Sequence, residues 1–455
     1  MSAKYLVDEA LIPDDGSKEI IQEFCRRTND NSLEVLVFPD VHYKKGARVA
    51  NGMLTSSEQN IFPSMLGVAN CGFTFGRVEN VTIEHRQHLE ETFTRYAKVL
   101  KAYNDTRVYS DNFILDMFEE YLTRFYQDER YQRLFQFIEV DSLEKLKLYA
   151  REVLTKKHIK LAASTLGTLG GGNHFFELQY VEESYSDKWD VGDIVYILHS
   201  DSIAVGDAIN LLFSNLSELD HLSGLRKLRS KGINRLRQLS YFTIKNGLLF
   251  KEPKEVLRLL FSQDDYRSIQ ADTQTGKTLI KAFFLATVFG DMNRDMILSN
   301  YEKILQEIMP EAKLEKLGSH SHDSLMIELN KSKTKIVQRN GVQCLADSQT
   351  FILPGALGTE SYLMANPNNE EAYYSSNHGV GRYLDKHIAR EEFNNESTVE
   401  EIKKRNLKLF RVGKGNIGEQ NPNAFKDVFK VTEVMEKENL GNRVAKLRPI
   451  CSMKG

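Results

Sequence analysis

The chain has 455 residues, 41% of them hydrophobic, and a formal net charge of −3. That length holds two or three average domains or one large catalytic domain, with enough apolar side chains for a substantial core. Slight acidity is unlike a passive nucleic-acid coat, nine prolines without a low-complexity tract argue against long disorder, and no apolar run reaches the length of a membrane-spanning helix.

The N-terminus, Met1 to Glu9, has no secretory apolar stretch, so a soluble, cytoplasmic protein is expected. Residues 33–80 read as short strands and turns. Residues 85–160 read as helical, with apolar side chains at three- and four-residue spacing through Leu115 to Leu122. Residues 163–180 return to glycine-rich turn and strand, and Val191 to His199 reads as a strand ending in histidine. Residues 205–310 are again mostly helical, including Thr278 to Asn300. Residues 333–383 are strand and turn, and the tail mixes helix with a final short strand. The chemistry-bearing residues fall on the strand-and-turn segments, so one fold must gather them. The expectation is an α+β protein with a single large domain over 1–455 and helical insertions at about 85–160 and 205–310.

Four cysteines are scattered without paired spacing, which does not read as a disulfide framework. Cys25, Cys344 and Cys451 read as small buried hydrophobes. Cys71 differs, because glycine follows it in a turn. Two basic runs, Arg226 to Lys231 and Lys403 to Arg405, are candidates for a local RNA groove, although such runs are more often solvated helix faces.

Three glycine-bearing segments carry the densest signal: Gly167 to Glu177, Pro354 to Thr359, and Ser375 to Arg382. Glycine lets backbone N–H groups approach an anion closely, and two of these segments also carry a histidine, His174 and His378. Imidazole can bind a metal, move a proton or attack phosphorus. Cys71, His174, His199 and His322 make one soft thiolate and three imidazoles, a set that suits a divalent transition ion. A bridging thiolate can hold two. Taken alone, lone histidines more often serve as hydrogen-bonded structural residues.

Six segments in order, from Phe38-Pro39-Asp40-Val41-His42 to Leu447-Arg448-Pro449-Ile450-Cys451-Ser452-Met453-Lys454-Gly455, resemble the RtcB family of GTP-dependent RNA ligases. The resemblance implies that family's fold. It implies one or two manganese ions at Cys71, His174, His199 and His322, beside the phosphates of GTP. His378 would be the nucleophile that becomes a histidine–GMP adduct, and Asp40 would orient a site histidine or a metal-bound group. By position the nucleotide would meet Asn173, His174, Phe175, Phe176, Glu177, His322, Asp323, Pro354, Gly355, Ala356, Leu357, Ser361, Gly379, Val380, Gly381 and Lys454. The partner would be RNA with a 3′-phosphate or 2′,3′-cyclic phosphate and a 5′-hydroxyl end, in tRNA splicing or RNA repair. An activating protein is a further partner to look for.

The sequence departs from the family pattern at five places, one of them Val380 in place of an alanine. The aspartate that usually precedes the cysteine is missing from Val68-Ala69-Asn70-Cys71-Gly72, leaving Asn70 as a weaker neutral oxygen or a site with a single ion. Ala356 stands for a serine. Ile203 and Asn340 stand where the family has an arginine and a lysine. His320 is a spare imidazole beside His322, although His322 fits the ligand position better. Three readings stay open: an RNA ligase, an RNA-end nucleotidyl transferase or phosphodiesterase that does not seal, and a non-catalytic RNA-binding relative.

Overall fold

Alternating side chains along one large antiparallel sheet decide which residues reach the site. The structure, a computed structural model, describes residues 2–12, 14–28, 30–43, 46–105, 109–213, 224–262, 264–346, 348–413 and 415–455, with only the backbone described at 103–105 and 224–227. The sheet runs Thr350–Leu353, Ser361–Ala365, Asn442–Lys454, Phe175–Ser184, Asp193–Ser200, Gly72–Thr82, Lys313–Ser321, and Lys408–Arg411 adds to Asn442–Lys454 in parallel.

Successive strand side chains point to opposite faces. Ile194, Tyr196 and Leu198 join Phe176 and Leu178 beneath the helices Arg86–Asp105 and Gln274–Ile308, where Phe93, Tyr96 and Tyr301 close the core. Val195 and Ile197 face the other way, with Phe73, Phe75 and Ile352. His199 follows that second parity and lies against Phe73, ring centroids 4.4 Å apart.

A five-stranded sheet, in the order Lys4–Tyr5, Glu34–His42, Asn51–Ser57, Lys333–Asn340, Asp323–Asn330, holds Asp40 and Asp323. Its Glu34–His42 strand loses register between Val37 and His42, where Asp40 sits. A ribbon of Val342–Cys344 with Ser375–Asn377 delivers His378.

The architecture is α+β, as expected. Three details differ from the sequence reading. The helix expected over Thr278 to Asn300 runs from Gln274 to Ile308, because it is buried on nearly every side and lacks the one-sided stripe that marks ends. The consecutive strands Lys313–Ser321 and Asp323–Asn330, which join different sheets, fall in a stretch not assigned to strands; the first is a charged, exposed edge, a common guard on open strands. The final strand is long, 13 residues, and is paired on both edges by Phe175–Ser184 and Ser361–Ala365.

Of the two basic runs, Arg226 and Lys227 have side chains outside the described residues. Arg229 is exposed on the helix Gly224–Ser240. Lys403 and Lys404 are exposed, and Arg405 pairs with Glu401 at 3.0 Å.

The helix Lys156–Thr165 gives a pH prediction. His158 Nδ1 accepts from the Thr155 N–H at 3.2 Å in a capping box. Burial lowers its pKa from 6.5 to about 4, aided by Lys157 and Lys245. The unfolded chain therefore binds this proton between pH 6.5 and 4 while the folded chain does not, so stability falls on acidification through that window. The contribution is on the order of 3 kcal/mol at most. His158→Gln, which keeps an acceptor at that capping position, should lose less stability between pH 7 and pH 4.5 in denaturant titrations. Equal acid losses in both proteins would sink the assignment.

Candidate metal and nucleotide site

Cys71 ends a tight turn whose preceding residue, Asn70, has φ of 55°. The turn is tied down from below by Arg294, which is fully buried. Its guanidinium donates to the Asn70 carbonyl (2.8 Å), Asn70 Oδ1 (3.1 Å), the Ser200 carbonyl (3.1 Å) and Thr74 Oγ1 (3.1 Å), and it pairs with Asp291. One side chain thus joins the Cys71 turn to the end of the His199 strand. Asn70 spends its amide here too, donating to the Thr287 carbonyl at 2.7 Å and Asp291 at 3.0 Å. The idea that Asn70 offers an oxygen to a metal is therefore corrected: both ends of its side chain are engaged away from the site.

The four soft donors meet. Cys71 Sγ is 3.3 Å from His199 Nε2 and 3.5 Å from His174 Nε2, and His199 Nε2 is 3.0 Å from His322 Nε2. Ligand bonds of about 2.0–2.3 Å put neighbouring donors on one ion about 3–3.5 Å apart, so this spacing fits a metal. Two three-residue groups of metal-ligating type share the thiol: Cys71, His174 and His199, and Cys71, His322 and Asp323. Burial pushes the Cys71 thiol well up, and the charges of Asp201 and Asp323 push the same way. Burial drives His199 well down, with the neighbouring imidazoles adding to it. A bound cation reverses the first effect and draws off the thiol proton.

His320 lies within the strand Lys313–Ser321, bonded to Ser348 Oγ at 2.7 Å and packed on Phe75, whereas His322 follows the strand's end. His322 is the histidine that faces the cluster.

His378 stands beside the donors, its ring centroid 4.8 Å from that of His322. Its Nδ1 contacts the Gly341 carbonyl (2.8 Å) and Asp40 Oδ2. A carbonyl only accepts, so Nδ1 carries the proton and Nε2 keeps the free lone pair. Burial alone lowers the pKa of this ring, but the Asp40 carboxylate, with Asp323 and the Gly341 carbonyl, more than offsets it and the net shift is upward. Asp40 is fully buried and also accepts from the His378 N–H at 3.1 Å. Lys426 donates to the carbonyls on both sides of Asp40, Pro39 at 2.9 Å and Val41 at 2.6 Å. Gly381 has φ of +72°, and a Cβ there would lie 2.3 Å from the Asp40 carbonyl oxygen, which restricts this position to glycine.

A polar contour continues from His378. The Gly379 backbone lies against Pro354. The Gly355 N–H donates to Ser361 Oγ at 3.1 Å, and Gln179 bridges Ser361 (3.0 Å) and Glu177 (2.8 Å). Burial raises the Glu177 pKa against the opposing pull of Ser452, Gln179 and Lys454. Lys454 donates to the Asn173 carbonyl at 3.0 Å and lies over the Phe175 ring. Asp323 accepts from the Gly341 N–H at 2.9 Å. Gly171 and Gly172 are exposed beside His174.

Three of the positions expected at the nucleotide are turned elsewhere. Phe176 has the opposite strand parity and stacks on Phe93, centroids 5.1 Å apart, in the helix-side core. Val380 belongs to the apolar cluster around Phe38 and Leu353. Leu357 packs on Ile402 and Leu407. Only their backbone is left to face a ligand. Ala356 is buried and brings no side-chain hydrogen bond.

Sequence reasoning missed Arg294, Gln179, Lys426 and Asp201. Asp201 follows the His199 strand, a signal that was visible; the others show only in three dimensions.

A family model described as tRNA-splicing ligase RtcB matches residues 28–455. The chain belongs to the RtcB family. It is 25% identical over 321 residues to a protein named tRNA-splicing ligase RtcB of Aeropyrum pernix, covering 64% of this chain and 60% of that protein. It is 28% identical over 298 residues to RNA-splicing ligase RtcB of Escherichia coli K12, covering 64% of this chain and 61% of that protein. In both pairs the match spans less than two thirds of the relative. A tRNA-splicing ligase RtcB of Methanococcus maripaludis is 25% identical over 445 residues, covering 92% of this chain and 88% of that protein. The RtcB match thus takes in every donor of the cluster and both His378 and Asp40. Among the described residues, no helix is long and apolar enough to cross a membrane.

Proposed function

We propose that this RtcB protein is an RNA ligase that joins a 3′-phosphate or 2′,3′-cyclic phosphate end to a 5′-hydroxyl end through a histidine–GMP adduct, with the whole chain acting as one catalytic domain. The observation that carries the reading is the anchoring of His378: Nδ1 is fixed by Asp40 and Gly341, and the ring lies against a metal-type donor cluster. The Nε2 lone pair would attack the α-phosphate of GTP, forming the N–P bond as pyrophosphate leaves. A 2′,3′-cyclic phosphate would first be opened by water to a 3′-phosphate; the RNA 3′-phosphate would then take GMP from His378, and attack by the 5′-hydroxyl would expel GMP and seal the strand. Cys71, His174, His199 and His322 would hold the divalent ion, manganese by family resemblance, which stabilises charge developing on the phosphates. Asp40 keeps the ring oriented and favours the imidazolium that attack produces. Glu177, Ser361 and Lys454 offer the guanine nucleotide polar partners. Incubation with Mn2+ and α-labelled GTP should give an acid-labile protein adduct. A protein that stays unlabelled while folded and metal-loaded would overturn the reading.

A second reading, an end-modifying enzyme that does not seal, is favoured by Ile203 and Asn340. Asn340 precedes the Gly341 that touches both His378 and Asp323, and Ile203 lies 3.8 Å from where a Cβ of Gly170 would be. Each flanks the site without a charge. Charge-assisted hydrogen bonds contribute about 1.5–3 kcal/mol when well formed. Ile203→Arg with Asn340→Lys should therefore tighten GTP or RNA-end binding about tenfold or more, read by calorimetry and by ligation rate. No gain with an unchanged fold, together with guanylylation but no sealing, would move the second reading ahead.

A further inference from the structure

We propose that Asp201 is a direct carboxylate ligand of the ion held by His174 and Cys71, standing in for the aspartate absent ahead of Cys71. The inference rests on the divalent-metal reading above. Asp201 Oδ2 is 3.3 Å from His174 Nε2, and Cys71 Sγ is 3.5 Å from that same nitrogen. Two electron-rich atoms converge on one ring nitrogen, which has at most one proton to give. An ion in front of Nε2 satisfies the sulfur, the nitrogen and the carboxylate oxygen together.

The side of the ring matters. A carboxylate that merely supports a metal-bound histidine sits on the nitrogen remote from the metal. Asp40 is placed that way on His378, through Nδ1, and Asp323 approaches His322 through Nδ1 at 3.6 Å while His322 Nε2 turns to His199. Asp201 alone addresses the nitrogen that faces the thiol. Among the described residues, the Nδ1 of His174 has no hydrogen-bond partner.

Asp201 is also held in place. It is buried, and Oδ1 accepts from the Ile203 N–H at 2.5 Å, which leaves Oδ2 as the oxygen aimed at the site. Asn70, the residue next to the gap in the sequence, is committed to Thr287, Asp291 and Arg294 and supplies nothing. With Asp201 added, each of the two donor groups that share Cys71 contains one carboxylate.

The test is Mn2+ binding to the full chain by calorimetry and by metal analysis after dialysis, with Co2+ spectra as a second readout. The unmodified protein should bind two ions. Asp201→Asn, which keeps the size and the Ile203 contact, should weaken one of them about 100-fold or more, while the Co2+–thiolate charge-transfer band of Cys71 persists. Asp201→Glu should restore binding with a shifted Co2+ spectrum. Unchanged affinity for both ions in Asp201→Asn overturns the proposal and leaves the metal reading standing. No divalent-ion binding by the unmodified protein overturns both. Should Asp201→Asn fail to fold, Asp201→Glu decides, since an unchanged Co2+ spectrum and affinity would mean that the carboxylate does not touch the ion.

Discussion

Replacing His378 by alanine is expected to abolish the covalent GMP adduct altogether, because no other described imidazole combines an anchored Nδ1 with an open Nε2 beside the donor cluster. Removal of the nucleophile removes the covalent route rather than slowing it. From sequence, a turn histidine would be dispensable for stability. The structure changes that estimate, since the ring pairs with a fully buried Asp40. Breaking such a pair costs about 3–5 kcal/mol, and here the upper end is not reached because the His378 N–H stays on Asp40 and Lys426 lies close by. The variant should fold, melt several degrees lower and carry no label after exposure to GTP and Mn2+. A labelled, folded His378→Ala protein would remove His378 from the reaction.

Arg294→Met is the second large effect, and it acts without touching a nucleotide. The methionine fills similar space but takes the guanidinium donor from the Asn70 and Ser200 carbonyls and Asn70 Oδ1, and leaves Asp291 without its ion pair. Loss of one partner in a buried ionic network costs about 3–5 kcal/mol. The turn that presents Cys71 and the strand end that presents His199 lose their common anchor, so metal affinity should fall along with stability. Denaturant unfolding should show a lower midpoint at an unchanged slope. Arg294→Lys should not rescue it, because one ammonium cannot span all the acceptors that the planar guanidinium reaches. Near-normal stability in Arg294→Met would mean that the turn holds itself.

The legible part of the site was the part written in short contiguous segments. Cys71, His174, His199, His322 and His378 each sit in a local pattern of glycine, asparagine or serine, Asp40 sits in Pro39-Asp40-Val41-His42, and the structure brings them together. What escaped was set by pairing between distant strands. Phe176 sits between Phe175 and Glu177, and strand alternation turns it into the helix-side core. Asn70 looked like a spare oxygen because its partners Thr287 and Arg294 lie on a helix far along the chain. The reverse error touched Asp201, whose chemistry was in plain view and whose meaning depended on which nitrogen of His174 it would face. The α+β layout was readable from periodicity, whereas the strand Lys313–Ser321 was not, its charges imitating a loop.

The spacing of the donors along the chain also sets when the site can exist. Cys71 and His199 are 128 residues apart, His199 and His322 another 123, and Asp40 and His378 are 338 apart. The Gly72–Thr82 strand is inserted between two strands that are both made after it. Closing loops of that length is slow, and the entropy of closure is lost before the pairing contacts return it. The donors therefore come together late in folding, after the helices have formed locally. A metal ion that needs all of them has little to grip in the folding transition state. Its binding should lengthen the lifetime of the folded molecule by slowing escape from it, while leaving the rate of folding nearly unchanged.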